Sequence, residues 1–111
     1  MANVQAVYDS RTGAPVAVDA LPEKFAVQAI AARGPGQPRA TGRARLELYI
    51  DGSRDTTLVL DLVPPVPNVV AHSFEVSGLA PGRYKVTVRL VDDLGITVQS
   101  TPLVVEVRPR P

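Results

Sequence analysis

Polar and apolar side chains alternate along much of the chain. The clearest run is Arg83 to Leu90, in which Tyr84, Val86, Val88 and Leu90 share one parity and Arg83, Lys85, Thr87 and Arg89 the other. A period of two puts these sets on opposite faces of a strand, whereas a helix would scatter both around its circumference. The same pattern predicts strands over Ala44–Ile50, with Leu46, Leu48 and Ile50 inward and Arg45, Glu47 and Tyr49 outward. It predicts another over Thr57–Leu62, with Leu58, Leu60 and Leu62 inward. Shorter versions run over Ser73–Val76 and Leu103–Val107. Phe25–Ala32 mixes period-two positions (Phe25, Val27, Ala29) with four alanines, and Pro22 and the β-rich surroundings tip it to strand. Val4–Tyr8 and Pro15–Val18 read as two short strands around Asp9-Ser10-Arg11-Thr12-Gly13.

Turn chemistry falls between these runs. Asp51-Gly52 suits a tight hairpin needing positive φ, and Pro81-Gly82 suits the centre of a type II turn. Asp92-Asp93-Leu94-Gly95 closes the Tyr84 strand, and Pro64-Pro65-Val66-Pro67 reads as a loop, because proline cannot donate to a sheet interior. Arg33 to Gly42 reads as a long loop by composition. About seven or eight short strands at this spacing predict an all-β sandwich of antiparallel strands. With no helix-length segment between them, parallel βαβ architecture is excluded. The 111 residues make one domain, with residues 1–20 as an irregular N-terminal arm or extra strands and 108–111 as a tail.

Composition narrows the chemistry more than the fold. Twelve basic against eleven acidic residues give a formal charge of +1, so no bulk electrostatic pull toward nucleic acid or a membrane surface is expected. The absence of cysteine excludes disulfides, thiolate nucleophiles and cysteine-ligated zinc. No cofactor and no metal site is expected. His72 is the single histidine; it shares its parity with Phe74, and Ser73 beside it points the other way, so no serine–histidine pair forms there. Asp51, Ser53 and Asp55 have the offsets of a calcium loop, but Thr56 stands where glycine is wanted and Leu62 where the bidentate glutamate belongs. A plain hairpin turn is the better reading, and Asp92-Asp93 is likewise read as a turn pair.

Phe74 to Val107 resembles the last three strands of bacterial immunoglobulin-like and fibronectin type III-like domains. The residues carrying the resemblance are Phe74-Glu75-Val76, then Leu79-Ala80-Pro81-Gly82-Arg83-Tyr84 with the alternation that follows, then Asp92 to Gly95 and Ser100 to Val107. Leu46-Glu47-Leu48-Tyr49-Ile50-Asp51-Gly52 is similar to the third strand and its turn in the same families. The resemblance covers about half the chain and implies an immunoglobulin-like sandwich in which Tyr84 is a corner tyrosine, its hydroxyl returning to nearby backbone. With neither a cysteine pair nor a tryptophan, the antibody type is not implied.

One local charge asymmetry remains. Arg33, Arg39, Arg43 and Arg45 fall in a stretch without an acid before Glu47, and they are the candidate partner contacts. No aromatic residues interleave with them, which argues against single-stranded nucleic acid. A non-enzymatic structural or binding module is therefore expected. Domains resembling this one occur in phage virions. A start at Met1 without a basic signal region fits an accessory or decoration protein made in the host cytoplasm and held on capsid or tail proteins. A homo-oligomer is compatible with that role. The alternative is a spacer or carbohydrate-binding module of an extracellular bacterial enzyme or adhesin.

Overall fold

A computed structural model of the protein describes residues 2–32, 44–51, 56–63, 69–92 and 97–109. Eight strands follow one another: β1 Ala2–Asp9, β2 Phe25–Ala32, β3 Ala44–Asp51, β4 Thr56–Leu62, β5 Val69–Val76, β6 Gly82–Asp92, β7 Thr97–Gln99 and β8 Leu103–Val107. They form two antiparallel sheets, a three-stranded one ordered β1-β2-β5 and a five-stranded one ordered β4-β3-β6 with β7 and β8 both on the far side of β6. The architecture is the all-β sandwich that the alternation predicts, with no helix among the described residues.

The inward parity of each strand fills the space between the sheets. Leu46, Leu48 and Ile50 of β3 and Tyr84, Val86, Val88 and Leu90 of β6 are buried, and Phe25, Val27, Ala29 and Ala31 of β2 face them. The alanines that made β2 ambiguous in the sequence are core residues. Ala29 and Ala31 lie fully buried on the central strand of the smaller sheet, where a short side chain still counts as packed surface.

β6 is longer than either of its partners on that side. Gly82–Val86 pair with β8 and Arg89–Val91 with β7. The break between β7 and β8 falls at Ser100–Pro102, next to a proline that cannot donate to a ladder. Ser100 closes the gap: its N–H donates to the Val88 carbonyl (2.8 Å) and its Oγ accepts from the Val88 N–H (2.9 Å). The three-residue β7 has too few alternating positions to stand out in the sequence.

The N-terminal stretch departs from the expected two short strands. β1 is a regular strand paired with β2 from Ala2 to Asp9, interrupted by one register shift between Val4 and Ala6. Pro15–Val18 is not a strand. Gly13, at φ +71°, carries the chain through a tight turn in which Asp9 Oδ1 accepts from the Arg11 N–H, and Pro15 makes only an isolated bridge to Tyr8. The chain then crosses to the other sheet, where Leu21 forms a parallel bridge with Val107 of β8.

Gly82 also differs from expectation. Its φ of +149° is far from the roughly +80° of the third position of a type II turn, and Gly78, at +80°, is the left-handed residue of that connection. The Gly52–Asp55 turn, the Pro64–Pro67 loop, Asp93–Gly95 and residues 110–111 of the tail lie outside the described residues.

Candidate functional site

Among the candidate partner contacts, Arg33, Arg39 and Arg43 lie outside the described residues. Arg45 is exposed on β3, between Asp61 of β4 and Val91 of β6 in the ladder. Its outward strand position places it on the surface of the five-stranded sheet, with a carboxylate on the neighbouring strand.

His72 is half-buried on β5, facing inward. Its ring meets Phe74 edge to face, with centroids 4.8 Å apart and planes at 83°. That is a packing role for an aromatic pair. Ser73 lies exposed on the opposite face, as the parity requires.

Tyr84 is buried, and its hydroxyl donates to the Ala80 carbonyl at 2.5 Å. The bond ties the start of β6 to the connection before it. Tyr84→Phe keeps the ring and removes the donor, so the Ala80 carbonyl loses its partner. A loss of about 0.5–1.5 kcal/mol is expected in urea unfolding. An unchanged midpoint would show that the bond contributes nothing.

The outward face of the five-stranded sheet holds a polar cluster that alternation alone assigns to solvent. Glu47 points outward yet is 6 % exposed, and Thr87 is similarly covered. The Tyr49 hydroxyl donates to Glu47 Oε1 at 2.8 Å. Arg89 stands opposite Glu47 in the β3–β6 ladder, and its Nε is buried without a hydrogen-bond partner. Tyr49, Asp51, Thr87, Arg89 and Gln99 line a shallow depression here.

The hydrogen bond to Glu47, followed by burial and the Glu47 charge, raises the Tyr49 phenol above its ordinary 10.0, against the opposing pull of Arg89. The phenol is thus held as a donor, not as a nucleophilic phenolate. This contribution to stability is complete below pH 10.0 and is lost as pH rises through the higher folded-state value. In Glu47→Gln the Tyr49 phenolate should form at lower pH than in the wild type, read by ultraviolet titration against Tyr49→Phe. No difference between the two proteins would mean that the carboxylate does not control the phenol.

The opposite outer face, on the three-stranded sheet, is chemically different. Across its strands lie Tyr8, Ala26 and Glu75, then Ala6, Gln28 and Ser73, then Asn3, Ile30 and Ala71. Glu75 is the only charge in these rows, and it accepts from Ser10 Oγ at 2.6 Å. Long side chains stand among short ones, and the Tyr8 hydroxyl donates to Gln28 Oε1 at 3.4 Å. The face is poor in charge, and beside it Val69, at the start of β5, is 54 % exposed.

Two of the sheet edges are covered by the chain's own backbone. Beside β1, the Val16 N–H donates to the Val7 carbonyl (3.0 Å) and the Asp9 N–H to the Ala14 carbonyl (2.8 Å). Beside β8, the Glu106 N–H donates to the Val18 carbonyl (2.7 Å) and the Leu21 N–H to the Glu106 carbonyl (2.9 Å). The outer edges of β4 and β5 have no such cover among the described residues. Both lie on one flank, where Thr56 and Leu58 of β4 and Glu75 and Val76 of β5 line a common hollow with Leu79 and Tyr84.

Among the described residues, no group of three or more histidine, aspartate or glutamate side chains could hold a metal ion, and no helix is long and apolar enough to cross a membrane. Neither a protein-family model nor a curated protein matches the chain.

Proposed function

We propose that this protein is a non-catalytic, immunoglobulin-like module that works by docking on a larger protein assembly. The assembly that the resemblance implies is a phage capsid or tail, on which the protein would serve as a decoration or accessory structural component. The strand order supports the immunoglobulin-like part of this reading. Three strands, β1-β2-β5, face β4-β3-β6 with the last strands beyond β6, and the N-terminal segment crosses between the sheets. The Tyr84–Ala80 bond, at the position where the resemblance places a corner tyrosine, supports it as well.

The contrast between the two outer faces carries the docking part. Arg45, Glu47, Asp51, Lys85 and Arg89 stud the five-stranded sheet, while the described rows of the three-stranded sheet hold one charge. Depletion of charge is the compositional mark of the centre of a protein interface. Arg33, Arg39, Arg43 and Arg45 would add charge-assisted contacts with the assembly, Arg45 from the five-stranded sheet.

Mass spectrometry of intact particles purified from the source tests this reading. The protein should be found in stoichiometric amounts with capsid or tail proteins. Its recovery only as a free protein, or fused to a hydrolase, would overturn the proposal.

A further inference from the structure

The two open strand edges on one flank carry an inference about how a partner is held. β5 pairs with β2 through eight consecutive residues, Val69 to Val76, without a register shift. It contains no proline, lysine or bulge, devices that blunt an edge, and Glu75 is its one charge. β1, by contrast, has a register shift and its own covering segment.

The two sheets are also offset. β6 lies against β1 and β2, and β7 against β1. The order β4-β3-β6 therefore carries β4 to the outer side of β5 and beyond it. Leu58, Leu60 and Leu62 point inward from β4, yet they are only partly buried, because the smaller sheet has no strand above them. The result is a row of backbone groups on β5 that no described residue pairs, above a ledge of three leucines.

We propose that this edge takes up one extended polypeptide segment of a partner protein, which pairs with β5 as a fourth strand and lays alternate apolar side chains on the β4 leucines. The inference rests on the reading of the protein as a docking module. The backbone row selects an extended chain, since main-chain hydrogen bonds supply the affinity in strand addition, and the ledge selects apolar residues at every second position. Glu75, near the end of β5, is the one formal charge on that strand, and β5 carries no lysine or arginine, so a basic residue at the end of the segment is favoured there. A second copy of this chain does not fit as well. A twofold axis through the β5 edge would bring the copy's own β4 into the space that β4 already occupies.

The probe is a short synthetic peptide that alternates valine and threonine and carries a lysine at each end. Added to the full-length protein, it should slow amide hydrogen exchange within residues 69–76 by roughly tenfold or more at the open edge. The same peptide with alternate backbone nitrogens methylated keeps its side chains but loses its donors, and it should give no protection. Ala71→Lys places a cation on the exposed face of β5 and should weaken binding of the unmodified peptide at least about tenfold, with an unchanged thermal midpoint. Protection on another strand, equal binding of the methylated peptide, or an unaffected Ala71→Lys variant would overturn the assignment. If the wild type nonetheless copurifies with particles, the docking role survives and only strand addition fails. If the peptide binds as expected but no particle carries the protein, the edge stands and the particle reading fails.

Discussion

Replacing Phe25 by alanine is expected to cost about 3–5 kcal/mol, the range for deleting a large buried aromatic side chain. Phe25 opens β2, where it stands between Asp9 of β1 and Val76 of β5, and it is fully buried. It is the largest fully buried side chain among the described residues, and apart from Phe74 the other buried residues of the smaller sheet are valines and alanines. Little around the ring can collapse into the space it would leave, because the nearest inward neighbours on its own and the adjacent strand, Val27 and Val76, are short and already buried. Domains of this size are stable by about 5–15 kcal/mol, so the loss is a large fraction of the whole. Urea unfolding should show a much lower midpoint at an unchanged slope. Lys24→Ala, one residue earlier and exposed, should cost under about 0.5 kcal/mol. Similar losses at the two positions would mean that this end of the sandwich is not closed over the ring.

The strands that could be read from the sequence are those whose alternation and burial agree. β3 and β6 are legible because each has one face in the core and one face mostly polar, so that Leu46, Leu48, Val86 and Val88 declare the inward side. β2 is harder, since alanine fits a helix as well as a narrow space between sheets; tertiary packing settles it. Glu47 shows a different gap. Its parity is outward, as read, but whether an outward side chain is solvated depends on its neighbours, here Tyr49 on the same strand and Arg89 across the ladder, 42 residues away. No local pattern encodes that distance.

The flank proposed to receive a partner strand was equally hidden. An open edge is a property of strand order, and strand order follows from pairings such as β2 with β5, in which partners such as Phe25 and Val76 lie far apart in the chain. The sequence does carry one part of the signal, the lack of proline and lysine in Val69–Val76. That lack marks an edge strand only once its position in the sheet is known.

Leu21→Ala is the second large effect expected, at about 2–5 kcal/mol. Leu21 sits between Ala20 and Pro22, outside any alternating run, and its burial is invisible to periodicity. In the fold it is fully buried at the point where the chain passes from one sheet to the other. Its backbone is clamped on both sides: the N–H donates to the Glu106 carbonyl (2.9 Å), and its carbonyl accepts from the Arg108 N–H (3.0 Å). The side chain is therefore a plug whose backbone also covers the edge of β8. Truncation removes its buried surface and leaves a cavity that the clamped backbone cannot close by sinking inward. Local loosening should accompany the loss of stability, seen as faster exchange of the Arg108 and Glu106 amides than global unfolding alone would give. Val18→Ala lies on the same crossing segment but removes a side chain that is 37 % exposed, and it should cost no more than about 0.5 kcal/mol. Equal and small losses at Leu21 and Val18 would show that the crossing segment rests on the sandwich without being locked into it, and the edge of β8 would then be as open as that of β5.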